Sequence, residues 1–272
     1  MNFKDKLHTQ VNASHSLLCV GLDPDMDKIP AHIKQKENSF FEFNKAIIDA
    51  THDLVCTYKP NSAFYEAEGE WGIRQLKMTC DYLKETYPQI PVLLDFKRGD
   101  IGNTNEKYAQ FAFEYLQVDA VTVQPYQGKE ALEAFFKRKD KGIFILCKTS
   151  NPGSNELQGL PVNGKLLYEI VAEKAVGEWN ENGNCFLVVG ATYPEELKKI
   201  RSIVGDMDIL VPGVGKQGGD LKTILEIGLT IEKRGLIINM SRSILYASDK
   251  EDFAQKAREE AESVKTQISA DS

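Results

Sequence analysis

Val92-Leu93-Leu94-Asp95-Phe96-Lys97-Arg98-Gly99-Asp100-Ile101-Gly102-Asn103-Thr104 begins as an apolar run and ends in charge. The apolar part reads as a buried strand. Asp95 and Lys97 are two residues apart, and in a strand such residues share a face. A carboxylate and an ammonium therefore project together from a buried element, and Asp100 adds a second carboxylate in the turn. Burying charge is costly unless it is paired. Two readings are open from this stretch alone. The three groups form a reaction centre, or Asp95 and Lys97 cap a strand end as an ion pair while Asp100 starts the next helix.

Working outward, similar short runs recur between helical segments. Leu17–Asp23 is the first and stops at Pro24. Thr57–Phe64 is the second and carries Lys59 in its middle. After the opening stretch come Ala120–Pro125, Gly142–Lys148, Cys185–Gly190, Ile209–Val214 and Leu236–Ser241. Residues Ser39–Val55 and Gly69–Tyr87 have helical spacing of apolar side chains. Asn103 and Glu106 are expected as N-cap and N3 of the helix after the third strand. Strands alternating with helices imply a parallel sheet. Eight such units in 272 residues predict one (β/α)8 TIM barrel, an α/β fold, spanning residues 1–272 as a single domain. Thr149–Gly164 is polar, rich in glycine and proline, and long for a βα connection. It is a candidate lid.

Barrels of this kind carry their chemistry at the C-terminal ends of the strands. There the sequence places Asp23, Lys59, Asp95 and Lys97 on neighbouring strands at one rim, followed by Asp100. Each has an ordinary reading alone: a turn residue for Asp23, a snorkelling lysine for Lys59. Together they form an alternating array of charge. The loops after strands seven and eight are the usual phosphate site of such barrels. Here Pro212-Gly213-Val214-Gly215-Lys216-Gln217-Gly218-Gly219-Asp220 opens a helix, and Ser241-Arg242 follows strand eight. Glycines let backbone N–H groups approach an anion, and an arginine grips two of its oxygens. The spacing Gly213 to Gly218 resembles a dinucleotide fingerprint, but it comes late in the chain and lacks the acidic residue expected about 20 positions on.

Composition excludes several classes. Net charge is −7 with no basic block, so nucleic acid is not an expected partner. No apolar run approaches membrane-spanning length, and the N-terminus has no apolar signal region. The five cysteines are scattered, without a CxxC pair. Cys19, Cys147 and Cys185 lie in or beside apolar strand-like runs, where reduced core cysteine is the expected reading, and a cytoplasmic location is expected. The four histidines, His8, His15, His32 and His52, all lie in the first quarter, none at a predicted strand end. That argues against a histidine metal site, a histidine base or a Ser-His-Asp triad and leaves proton transfer to lysine.

On these residues the sequence resembles the orotidine 5′-phosphate decarboxylase family over most of its length. Leu94–Thr104 resembles the family signature in its longer, second subgroup, and Thr149–Ser154 and Pro212–Asp220 also fit. The D-x-K-x-x-D core is shared with sister enzymes, and Lys59, Gln217 and Arg242 make the match specific. The resemblance implies cofactor-independent decarboxylation of orotidine 5′-monophosphate to uridine 5′-monophosphate in pyrimidine biosynthesis. It implies that Lys97 protonates C6 and that Asp95 lies against the departing carboxylate. Lys59 then bridges the carboxylates and the ribose, and Asp23 binds ribose hydroxyls. Asp100, with Ile101 and Thr104, would come from the neighbouring subunit of a homodimer. Ser150 would contact the pyrimidine. Gln217 and Arg242 would hold the phosphate, beside Gly218 and Ser241. The sister sugar-phosphate enzymes use Mg2+ held partly by a strand-two glutamate, and Lys59 stands in that place. A non-catalytic nucleotide sensor is the other alternative. It would gain nothing from keeping Lys97 beside Asp95.

Overall fold

The computed structural model describes residues 1–215 and 218–271. Eight parallel strands form one sheet: β1 (Leu18–Leu22), β2 (Thr57–Pro60), β3 (Leu93–Arg98), β4 (Ala120–Val123), β5 (Gly142–Lys148), β6 (Cys185–Val189), β7 (Ile209–Pro212) and β8 (Leu236–Met240). Their order is β2-β1-β8-β7-β6-β5-β4-β3. The two ends meet through the bridges Tyr58–Val92 and Asn61–Asp95, which close the sheet into the expected barrel. Helices alternate with the strands around the outside.

Each strand buries both faces, and this is why the strands read as unbroken apolar runs. Leu93, Ala120, Phe144, Phe186, Leu210 and Ile237 belong to one cluster that fills the lumen. Their neighbours Leu94, Val121, Ile145, Leu187, Val211 and Ile238 belong to the cluster under the helices. The helix Phe3–Ser14 closes the lower end. Phe3 meets Phe144 and Phe186 edge-on, with ring centroids 5.6 and 5.3 Å apart. The lumen is therefore packed from below, and polar groups gather at the other rim. Inward parity continued up the strands gives Asp95 on β3, Thr122 on β4, Lys59 on β2 and Asn239 on β8. All four are buried.

Several expectations need correction. Strand two ends at Pro60, and Ser62–Glu66 is a short helix capped by Asn61, so Phe64 is helical. The helix after β3 spans Gly102–Gln110 with Ile101 at its N-cap and no side-chain cap. Asn103 and Glu106 form no capping pair. Glu106 instead binds Arg138 at 2.7 Å and Lys137 at 2.8 Å. The turn is organised by Asn105, which accepts from Asp100 N at 3.0 Å and donates to the carbonyls of Asp100 and Ala131 at 2.6 Å.

Arg201 ties the lower end of the barrel together. Its guanidinium donates to the carbonyls of Gly228 (2.8 Å), Gly205, Met207 and Gly235 (2.6 Å each). Arg201→Met would leave several of these acceptors unpaired. A loss of about 3 kcal/mol is expected, seen as a thermal midpoint lower by about 6–10 °C. Nucleotide affinity at the far rim should not change, and an unshifted midpoint would contradict the tie.

Candidate active site

Asp95 is the hub of the rim. Its Oδ2 accepts from Lys59 Nζ at 3.1 Å, and its Oδ1 accepts from Lys97 Nζ at 2.6 Å and Thr122 Oγ1 at 2.8 Å. Burial alone would raise the Asp95 carboxyl. The charges of Lys59 and Lys97, with hydrogen bonds from Lys97 and Thr122, overcome it and hold the group well below the usual carboxylate range. Burial likewise opposes the Lys59 ammonium, but Asp95 and then Asp23 reverse it and raise the group above its ordinary value.

Asp95 and Lys97 do meet, though not through regular alternation. The β3–β4 register shifts between Leu94 and Arg98. Within that irregularity Lys97 has φ +44°, a left-handed conformation rarely adopted by non-glycine residues. Lys97 N donates to Thr122 Oγ1 at 3.0 Å, so one threonine fixes both the strained backbone and the carboxylate. Strain of this kind, of order 1–3 kcal/mol, gathers where function over-determines the backbone. Lys97 remains 44% exposed while Asp95 is covered, so the ammonium faces open space.

Asp23 stands beside this cluster. Its Oδ1 accepts from Asn61 N at 3.1 Å, and Asn61 itself bridges to Asp95. Gly21, paired with Lys59 across β1 and β2, has no room for a side chain. A Cβ there would lie 1.9 Å from Ser241 Oγ. A cavity of about 690 Å³ opens next to these groups, and its wall includes Asp23, Ser150, Gly218, Ser241 and Arg242. Arg242 is exposed, and its guanidinium has no hydrogen-bond or ion-pair partner among the described residues. The glycine turn opposite is closed by Gly219 N to Gly213 O at 2.9 Å and Gly218 N to Gly215 O at 2.8 Å. A Cβ on Gly218 would lie 1.8 Å from Gly213 O. Gln217 lies outside the described residues.

Asp100, Ile101 and Thr104 stand apart from the cavity. Asp100 accepts from Ile101 N at 2.7 Å and forms no ion pair among the described residues. Ile101 is 62% exposed. The candidate lid is folded: Pro152–Glu156 is a 3-10 turn, and Pro161–Val162 pairs with Lys165–Leu166 as a small hairpin.

Sequence reading missed four contributors. Thr122 and Asn239 are lone polar residues at inward positions of apolar runs, a signal as plain as Asp23. Lys28, bonded to Asp25 at 2.5 Å, brings a further cation to the cavity wall. Tyr246 donates from its hydroxyl to Asp23 O at 2.8 Å. No group of three or more His, Cys, Asp or Glu side chains among the described residues is arranged to hold a metal ion. No helix among them is long and apolar enough to cross a membrane.

This arrangement offers an ammonium fixed beside a carboxylate at one end and an unpaired guanidinium facing a glycine turn at the other. Known proteins resemble the chain along most of its length. The family model described as orotidine 5′-phosphate decarboxylase / HUMPS family matches residues 16–257. An orotidine 5′-phosphate decarboxylase from Cellvibrio japonicus (strain Ueda107) is 52% identical over 270 residues, covering 98% of each chain. One from Janthinobacterium sp. (strain Marseille) is 49% identical over 261 residues, covering 96% of each. Among solved structures, Leishmania donovani OMP decarboxylase is 41% identical with a TM-score of 0.83, covering 98% of this chain and 99% of that one. Leishmania donovani UMP synthase is 42% identical with a TM-score of 0.88, covering all of this chain, which spans 56% of that longer protein. With a family model matched across the barrel and relatives near half identity along almost its full length, the chain belongs to the orotidine 5′-phosphate decarboxylase / HUMPS family.

Proposed function

We propose that this chain converts orotidine 5′-monophosphate to uridine 5′-monophosphate and CO2, with Lys97 as the proton donor to C6 and no metal or cofactor. The observation that carries this reading is the Lys97 ammonium, held 2.6 Å from Asp95 on a left-handed backbone at the open side of the rim. The C6–carboxylate bond breaks, and its electron pair remains on a ring carbon with no carbonyl placed to absorb it. A fixed ammonium beside that carbon stabilises the charge as it develops and then delivers a proton. Lys97 is left neutral and regains its proton from water. Asp95 orients Lys97 and sets a negative charge against the departing carboxylate. Lys59 and Asp23 fit the ribose hydroxyls, and Ser150 fits the pyrimidine. Within the family, Lys59 and the near-half identity to the decarboxylases favour this substrate over a sugar phosphate.

A homodimer completes the site in this reading. Asp100 of the partner subunit adds its carboxylate to the array, with the partner's Ile101 and the partner's Thr104 beside it. Exposed Phe64, Ile101 and Tyr126 support that surface, because they follow β2, β3 and β4, which adjoin in the barrel.

The phosphate end is tested first by Arg242→Ala. Binding of uridine 5′-monophosphate is expected to weaken about 100-fold, or about 2.7 kcal/mol, while binding of uridine is unchanged. Equal losses for both ligands by calorimetry would contradict the assignment. Activity itself is tested by following loss of substrate absorbance.

A further inference from the structure

Lys148 ends β5 with no exposed surface, yet no carboxylate lies within ion-pairing distance among the described residues. Its Nζ donates to Ser154 Oγ at 2.8 Å and Asn155 Oδ1 at 2.7 Å. It also sits 4.6 Å from the centroid of the Tyr193 ring, so all three N–H directions are used. Burial lowers this ammonium below its ordinary value, and the charge of Glu196 opposes that shift. An apolar side chain would fill the same space without this cost, so packing does not account for the residue.

The backbone shows how Lys148 is aimed. Strict alternation after Phe144 and Leu146 would turn it into the lumen. The β5–β6 register shifts between Leu146 and Lys148, and a bulge of this kind re-aims a side chain. The ammonium accordingly meets the loop 149–164 rather than the Asp95 cluster. That loop is fastened to its own base by polar groups. Thr149 N donates to Gln158 Oε1 at 2.9 Å, and Thr149 Oγ1 to Asn151 Oδ1 at 2.7 Å. Leu157, Leu160 and Val162 are exposed and hold little. Ser150, two residues beyond Lys148, lines the cavity and packs tightly against Gly190, whose N–H donates to Lys148 O at 2.8 Å.

We infer that Lys148 is a positioning residue: a buried latch that holds the loop 149–164 through Ser154 and Asn155 and so sets Ser150 at the pyrimidine end of the site. The inference rests on the proposed function for its ligand, but the latch itself is independent of turnover. It acts on nucleotide capture rather than on the chemical step.

The test compares full-length Lys148→Met with a Ser154→Ala/Asn155→Ala double variant, which cuts the same bonds from the loop side and leaves the strand intact. Both should raise KM for orotidine 5′-monophosphate by about tenfold or more, with kcat within about threefold of the parent. Both should also speed tryptic cleavage after Lys165, mapped by mass spectrometry, by about tenfold, since two bonds to a charged group are lost. Values of KM and cleavage rate within twofold of the parent, in either folded variant, overturn the latch. So does a fall in kcat at unchanged KM. If the parent fails to turn over orotidine 5′-monophosphate, the functional reading fails, while the cleavage rates without substrate still decide the latch.

Discussion

Lys97→Ala is expected to lower turnover by about 10⁴-fold or more, which corresponds to about 5.4 kcal/mol of transition-state stabilisation. The protein should still fold and still bind uridine 5′-monophosphate. Three features of the rim separate those outcomes. Asp95 keeps Lys59 and Thr122 when Lys97 is shortened, so no buried charge is stranded. The Lys97 side chain is 44% exposed, so its removal opens no interior cavity. Its backbone stays pinned by the bond from Lys97 N to Thr122 Oγ1. The unpaired Arg242 and the glycine turn are untouched. Equilibrium binding and thermal midpoint near the parent's, with turnover lost, are the expected pattern. Near-normal turnover by Lys97→Ala would remove the proton donor from the mechanism.

Asp100→Ala is expected to lower turnover by about 10³-fold or more on its own, because the array loses a carboxylate that holds the Lys59 and Lys97 ammoniums charged and in place. Within one chain Asp100 forms no ion pair among the described residues, and in the proposed homodimer it would serve the partner's site. Mixing Lys97→Ala and Asp100→Ala proteins under subunit exchange tests this directly. In a mixed dimer one site carries both substitutions and the other carries neither. Random exchange in a two-fold dimer should restore about one quarter of native activity. A mixture no more active than its two components would place Asp100 in its own chain's site or outside the chemistry.

The fold was legible because each strand buries both faces, and that leaves short apolar runs between helices. Gly142–Lys148 matches β5 at both ends. Other runs overshoot by a residue or two where the chain leaves the barrel, as at Gly190 and Ser241. Phe64 was misplaced because β-like composition continues into a turn that Asn61 caps as a helix. Asp95, Lys97, Lys59 and Asp23 do converge at one rim, as the strand-end charges suggested. The left-handed backbone at Lys97 was not legible, since a register shift depends on the neighbouring strand. Asn103 and Glu106 had capping spacing, but Asn105 holds the turn through a carbonyl from a distant helix. Thr122 and Asn239 could have been found by asking which inward positions are polar. The partners of Lys148 could not, because a loop folding back on its base leaves no periodic trace.

The most direct measurement is loss of orotidine 5′-monophosphate absorbance with the purified protein, run with and without a metal chelator and with the product identified. Stoichiometric conversion to uridine 5′-monophosphate and CO2, at a rate the chelator does not change, is the expected result. No conversion, or conversion that stops on chelation and returns with Mg2+, would contradict a lysine-driven, cofactor-independent decarboxylation.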